Sequence, residues 1–136
     1  MAIIIKKKAR SPVPEPLVEP EQPKKATPGR LLDGQCRMVI DQFPSAMVSW
    51  WLMASYAYYI HDTPIISDGL YDEMAKMMLA RWDEIQHPHK RLISEDHLSA
   101  GSLYDFRAKD YPPMTRGAAS HLIQSAWGVS IDVNKA

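Results

Sequence analysis

From Ala46 to Ile60 nearly every position is apolar, with Met47, Val48, Trp50, Trp51, Leu52, Met53, Tyr56, Tyr58 and Tyr59 broken only by Ser49 and Ser55. The run predicts a helix from Pro44 or Ser45 to about Ile60, since proline suits a first helical turn. A helix that is apolar on all sides needs cover on several sides, from the chain's later segments or from a partner. Beyond Ser67 the pattern changes. Leu70, Tyr71, Met74, Met77, Met78, Trp82 and Ile85 recur at steps of three and four, leaving Glu73, Lys76 and Asp83 mostly outside that stripe. This is the period of an amphipathic helix. Asp62-Thr63-Pro64 stops the first helix, because Pro64 has no N–H and drives Thr63 out of the helical region. Ser67 is suited to cap the second, Asp68 falls in its first turn, and His87-Pro88 closes it. The prediction is an αα-hairpin over residues 45–88.

The remaining segments carry weaker patterns. Cys36 to Phe43 fits a helical turn or a strand, and periodicity does not choose between them. Leu92 to Phe106 reads as a connector with a short helix around Ala100–Phe106, ended by Pro112-Pro113. A last helix is expected over 114–127, with Thr115 as cap and Gly128 as stop. Its apolar side would be Leu122, Ile123, Ala126 and Trp127, and Gly117-Ala118-Ala119 would permit a close helix approach. Residues 129–136 suit a short strand or a disordered tail. The fold class is therefore mostly α: a small helical domain over 31–136, built on the hairpin, behind a long extended Pro-rich N-terminal arm over 1–30.

The arm holds Pro12, Pro14, Pro16, Pro20, Pro23 and Pro28, six of the eleven prolines in 136 residues. Such a stretch favours extended polyproline conformations and cannot bury enough to fold alone. It is a flexible tail, or a strap in which Ile3-Ile4-Ile5 docks on another protein while Lys6-Lys7-Lys8 meets an acidic surface.

Charge adds one detail. Sixteen basic and sixteen acidic residues cancel, which removes the global electrostatic case for nucleic acid. The arm, however, carries Lys6, Lys7, Lys8, Arg10, Lys24, Lys25 and Arg30 against Glu15, Glu19 and Glu21, a net +4 that leaves −4 for the rest. The single cysteine, Cys36, forbids an internal disulfide and suits a reducing compartment, or a virion assembled there. No targeting segment is evident, and the apolar run falls short of the about 20 residues of a membrane span. The expected location is cytoplasmic, or a virion.

The hairpin corner is where chemistry concentrates. Asp68, Tyr71 and Asp72 stand at i, i+3 and i+4 on one side of a first turn, and the short connection brings Tyr58 and Tyr59 close. Aromatic faces and carboxylates together suit a flat cationic ring. The same residues also serve an ordinary helical hairpin, as cap, turn and core.

Tyr58-Tyr59-x-x-Asp62-x-Pro64-x-Ile66-Ser67-Asp68-x-x-Tyr71-Asp72, followed by Glu84-x-x-His87-Pro88, resembles the N-terminal Ia domain of NAD-dependent DNA ligases over about a quarter of the chain. In that family the domain captures the nicotinamide mononucleotide half of NAD. The resemblance implies that Tyr58, Tyr59, Asp68, Tyr71 and Asp72 are the cofactor-binding residues. Two departures stand out. The family commonly has histidine where Tyr59 stands, and its D-S-P-T-Q-x-V-G stretch after the second helix is replaced here by His89-Lys90-Arg91-Leu92-Ile93-Ser94.

Catalysis is not expected. Ligases of this kind take AMP on the lysine of a Lys-x-Asp-Gly motif, and Leu31-Leu32-Asp33-Gly34 has leucine there. No histidine spacing resembles a zinc signature, so no metal site is expected either. Two functions follow. One is a non-catalytic Ia-like module that binds nicotinamide mononucleotide or NAD. The other is a structural or assembly protein, of a size that suits a bacteriophage virion, docking on a protein partner through residues 1–30 and helix 45–60 with the hairpin as scaffold.

Overall fold

The computed structural model describes residues 31–134, together with the backbone of two short paired strands, Lys6–Lys7 and Arg10–Pro12. The expected extended arm otherwise lies outside the described residues. From residue 31 onward the chain is helices and connectors, so the fold is mostly α. The helices are α1 (Asp33–Gln42), α2 (Met47–Ser55), α3 (Asp68–Ala80), α4 (Glu95–Ala100) and α5 (Pro113–Trp127). Among the described residues no helix is long and apolar enough to cross a membrane.

α2 is the axis of the core. Its Val48, Trp51 and Leu52 are fully buried, and Tyr56 and Ala57 beyond its end are too. It packs against α3 on one side and α5 on another, while α4 packs on α3. Full burial of a large apolar side chain contributes about 1.5–3 kcal/mol, and α2 supplies six such residues, Met47, Val48, Trp50, Trp51, Leu52 and Met53. Trp50 and Trp51 point to different sides, and the chain covers both. The docking surface expected on this helix is therefore spent internally, apart from Tyr58 and Tyr59 at its end.

The structure decides one open segment and departs from three expectations. The stretch from Cys36 to Gln42, open between helical turn and strand, lies in α1, which buries Cys36 and Ile40 against the core. The second hairpin helix ends at Ala80, not at His87. A 3-10 turn, Trp82–Glu84, follows, and Ile85 is still buried although it is extended. Side chains from elsewhere replace the missing helical bonds there: Lys90 donates to the Trp82 carbonyl at 2.6 Å, and the Gln86 N–H donates to Ser45 Oγ at 2.9 Å. The apolar spacing runs on through a stretch held partly by 3-10 turns and partly by tertiary hydrogen bonds.

The connector helix is α4, ahead of the expected Ala100–Phe106. Ser94 caps it by accepting from the His97 N–H at 3.1 Å, while His97 Nδ1 accepts from the Ser94 N–H at 3.0 Å. This is a capping box with histidine in the place usually held by Glu or Gln. Finally, α5 starts on Pro113, and Thr115 is buried within it and does not cap it. Gly128, at φ 71°, ends the helix as expected. The close approach sits at Ala119, fully buried, because a side chain at Gly117 would meet nothing within 4 Å. Residues 129–134 form no strand.

Candidate functional site

α2 does not end as a regular helix. Its last turn, Tyr56–Ile60, is π-helical, a form frequent at functional sites. Asp62 then turns the chain in the left-handed conformation at φ 55°, and the Thr63 N–H closes the end on the Ala57 carbonyl at 2.8 Å. The widened turn buries Tyr56 and Ala57 and sets both Tyr58 and Tyr59 outward, 44% and 49% exposed. Their rings meet edge to face at 4.8 Å.

Three elements hold the far side of the corner. Ser67 caps α3 by accepting from the Leu70 N–H at 3.2 Å. Asp33, at the start of α1, accepts from the Ser67 N–H at 2.7 Å and from its hydroxyl at 2.5 Å. Between them, the Leu32 N–H donates to the Ile65 carbonyl at 2.8 Å, and Trp127 Nε1 of α5 donates to the Pro64 carbonyl at 2.8 Å. Thus the connection from Asp62 to Ser67 is pinned from both chain ends of the domain.

Tyr71 is held through its ring, its carbonyl and its hydroxyl. Its ring lies on Trp51 at 4.9 Å with 15° between planes, and Trp51 Nε1 donates to the Tyr71 carbonyl at 3.2 Å. Its hydroxyl is hydrogen-bonded to the fully buried Ser55 Oγ at 2.5 Å. Burial pushes the phenol above its ordinary range, so it stays neutral.

These elements enclose a cavity of about 250 Å³ lined by Ala54, Tyr58, Tyr59, Pro64, Ile66, Asp68, Tyr71, Asp72 and Gly101. All five sequence-predicted residues are among them. Asp68 and Asp72 are exposed, so their carboxylates stand at the rim with water on one side. The lining has two carboxylates and no basic residue. It can therefore offer aromatic faces and negative charge to a small cation, and it offers no nucleophile paired with a base.

Sequence reasoning did not find the apolar floor of Ala54 and Ile66, nor Gly101, which arrives from α4. Gly101 has φ 71°, and a side chain there would come 4.0 Å from Asp72 Oδ1. Its signal is Ser-Ala-Gly at a helix end, which the sequence pattern hides by setting the helix around Ala100–Phe106. Asp33 stands out in the sequence only within Leu31-Leu32-Asp33-Gly34, and its buttressing of Ser67, 34 residues away, has no local signature.

The other polar residues singled out serve structure. His87 Nδ1 accepts from the His89 N–H at 3.0 Å, which leaves Nε2 protonated and donating to Ser49 Oγ at 2.8 Å. This Ser–His pair is therefore set the wrong way round for a general base. His97 Nε2 likewise donates to Asp105 Oδ1 at 2.8 Å. Cys36 is fully buried beside Met74, its thiol pushed up to about 12 chiefly by burial. Among the described residues no group of three His, Cys, Asp or Glu could hold a metal ion.

No protein-family model matches the chain, and no curated protein and no solved structure is significantly similar to it.

Proposed function

We propose that the protein binds nicotinamide mononucleotide, or the nicotinamide half of NAD, in the hairpin-corner cavity, as a module without catalytic activity of its own. One observation carries this reading: Tyr58, Tyr59, Asp68, Tyr71 and Asp72 line a single open cavity. A pyridinium ring needs aromatic faces and nearby negative charge, and such contacts contribute about 0.5–2 kcal/mol each. At about 250 Å³ the cavity lies just below the roughly 300–1,000 Å³ of drug-sized sites, which favours one half of the dinucleotide over the whole.

The Leu31-Leu32-Asp33-Gly34 stretch supports a module that does not adenylate itself. Leucine holds the place of the adenylated lysine, and Asp33 is committed to Ser67. The competing assembly reading loses most of its aromatic contact helix, whose tryptophans the chain itself buries. It rests now on residues 1–30.

Titration with nicotinamide mononucleotide, followed by tyrosine and tryptophan fluorescence, tests the proposal. Saturable quenching that is abolished in Asp68→Asn/Asp72→Asn is expected. A flat response at millimolar ligand removes it.

A further inference from the structure

A second concavity adjoins the first. It is a groove of about 290 Å³ between α3 and α4, and it shares Asp72 and Gly101 with the corner cavity. Its other walls are Ala75, Leu79, Leu98, Ser99 and Ala100, with Lys76 at its edge. Lys76 is the sole basic residue lining either concavity, and among the described residues no ion pair holds its ammonium.

The placement of charge along α3 is directional. Asp68 and Asp72 mark one end, and Lys76 stands one turn further on. Residues four apart on a helix have their Cβ atoms about 5–6 Å from one another. A nicotinamide nucleotide has the inverse arrangement: a positive ring, a ribose, then a phosphate a similar distance away. With the ring between Tyr58 and Tyr71, a phosphate in the corner cavity would meet two carboxylates and no cation. Directed past Asp72 into the adjoining groove, it meets the lysine.

We infer that the groove between α3 and α4 is a phosphate subsite, in which Lys76 pairs with the 5′-phosphate of a nicotinamide nucleotide whose ring occupies the corner cavity. The inference rests on the proposed reading of that cavity and adds its second half. It makes Lys76 the residue that distinguishes a nucleotide from a nucleoside. Lys76 is exposed on the outer face of α3, so its replacement leaves the core untouched.

The test compares nicotinamide riboside with nicotinamide mononucleotide on the wild-type protein and on Lys76→Gln, by calorimetric titration. Binding of the mononucleotide about tenfold tighter than the riboside is expected in the wild type, as for one charge-assisted hydrogen bond. The gap should close in Lys76→Gln, with riboside affinity unchanged. Equal affinities in the wild type, or a gap that survives in Lys76→Gln, overturn the subsite while leaving the cavity reading standing. If neither ligand binds the wild type, both fall.

Discussion

Asp33 and Ser67 are joined by two hydrogen bonds, the carboxylate of one receiving both the backbone N–H and the hydroxyl of the other at 2.7 and 2.5 Å. The first helix thereby fixes the start of the helix that bears Asp68, Tyr71 and Asp72. Hydrogen bonds to a charged group contribute about 1.5–3 kcal/mol. Asp33→Ala is therefore expected to lower unfolding free energy by about 2 kcal/mol, read by urea denaturation. Ser67→Ala should cost a similar amount, and the double variant less than the two summed, since both remove one network. Strict additivity would show that the two residues are energetically independent.

Tyr71 separates support from recognition. In Tyr71→Phe the ring can keep its place on Trp51, but Ser55 Oγ loses its partner while fully buried. A loss of about 1–3 kcal/mol in stability is expected, with ligand affinity nearly kept because the aromatic face survives. Tyr71→Ala should lose both. Equal loss of affinity in the two variants would assign the hydroxyl, and not the face, to the ligand.

His87 gives the protein an acid-sensitive contact. Burial first, and then His89, hold its imidazole below the ordinary 6.5, so the folded state keeps it neutral where the unfolded chain takes a proton. Below that pH the unfolded state binds more protons, and stability falls as the solution is acidified from 6.5 towards the lower folded value. Melting temperatures measured between pH 7.5 and 5 should show this decline, and His87→Gln should flatten part of it. An identical pH profile in the variant would exclude His87 as the cause.

Cys36 reports on opening of the core. With the thiol buried and its ionisation pushed up to about 12, a disulfide reagent at pH 8 should label the native protein only through unfolding. Labelling should become fast in denaturant. Rapid reaction of the native protein would place Cys36 at the surface.

What the sequence determined is what depends on near neighbours. The stop at Asp62-Thr63-Pro64, the Ser67 cap, the apolar stripe from Leu70 to Met78 and the Gly128 stop are each set within a turn or two of chain, where periodicity and capping chemistry operate. The gathering of Tyr58, Tyr59, Asp68, Tyr71 and Asp72 was legible for the same reason, because a short hairpin leaves their elements little freedom. Tertiary structure decided the rest. Helix α3 stops at Ala80 because Lys90 and Ser45 take over hydrogen bonds that a longer helix would have made. α4 hid because a histidine completes its cap. Gly101 reaches the cavity, and Asp33 reaches Ser67, only once α4 and α1 have packed on the hairpin. Those contacts join residues some thirty positions apart, and no local pattern in a chain can specify which distant side chain arrives.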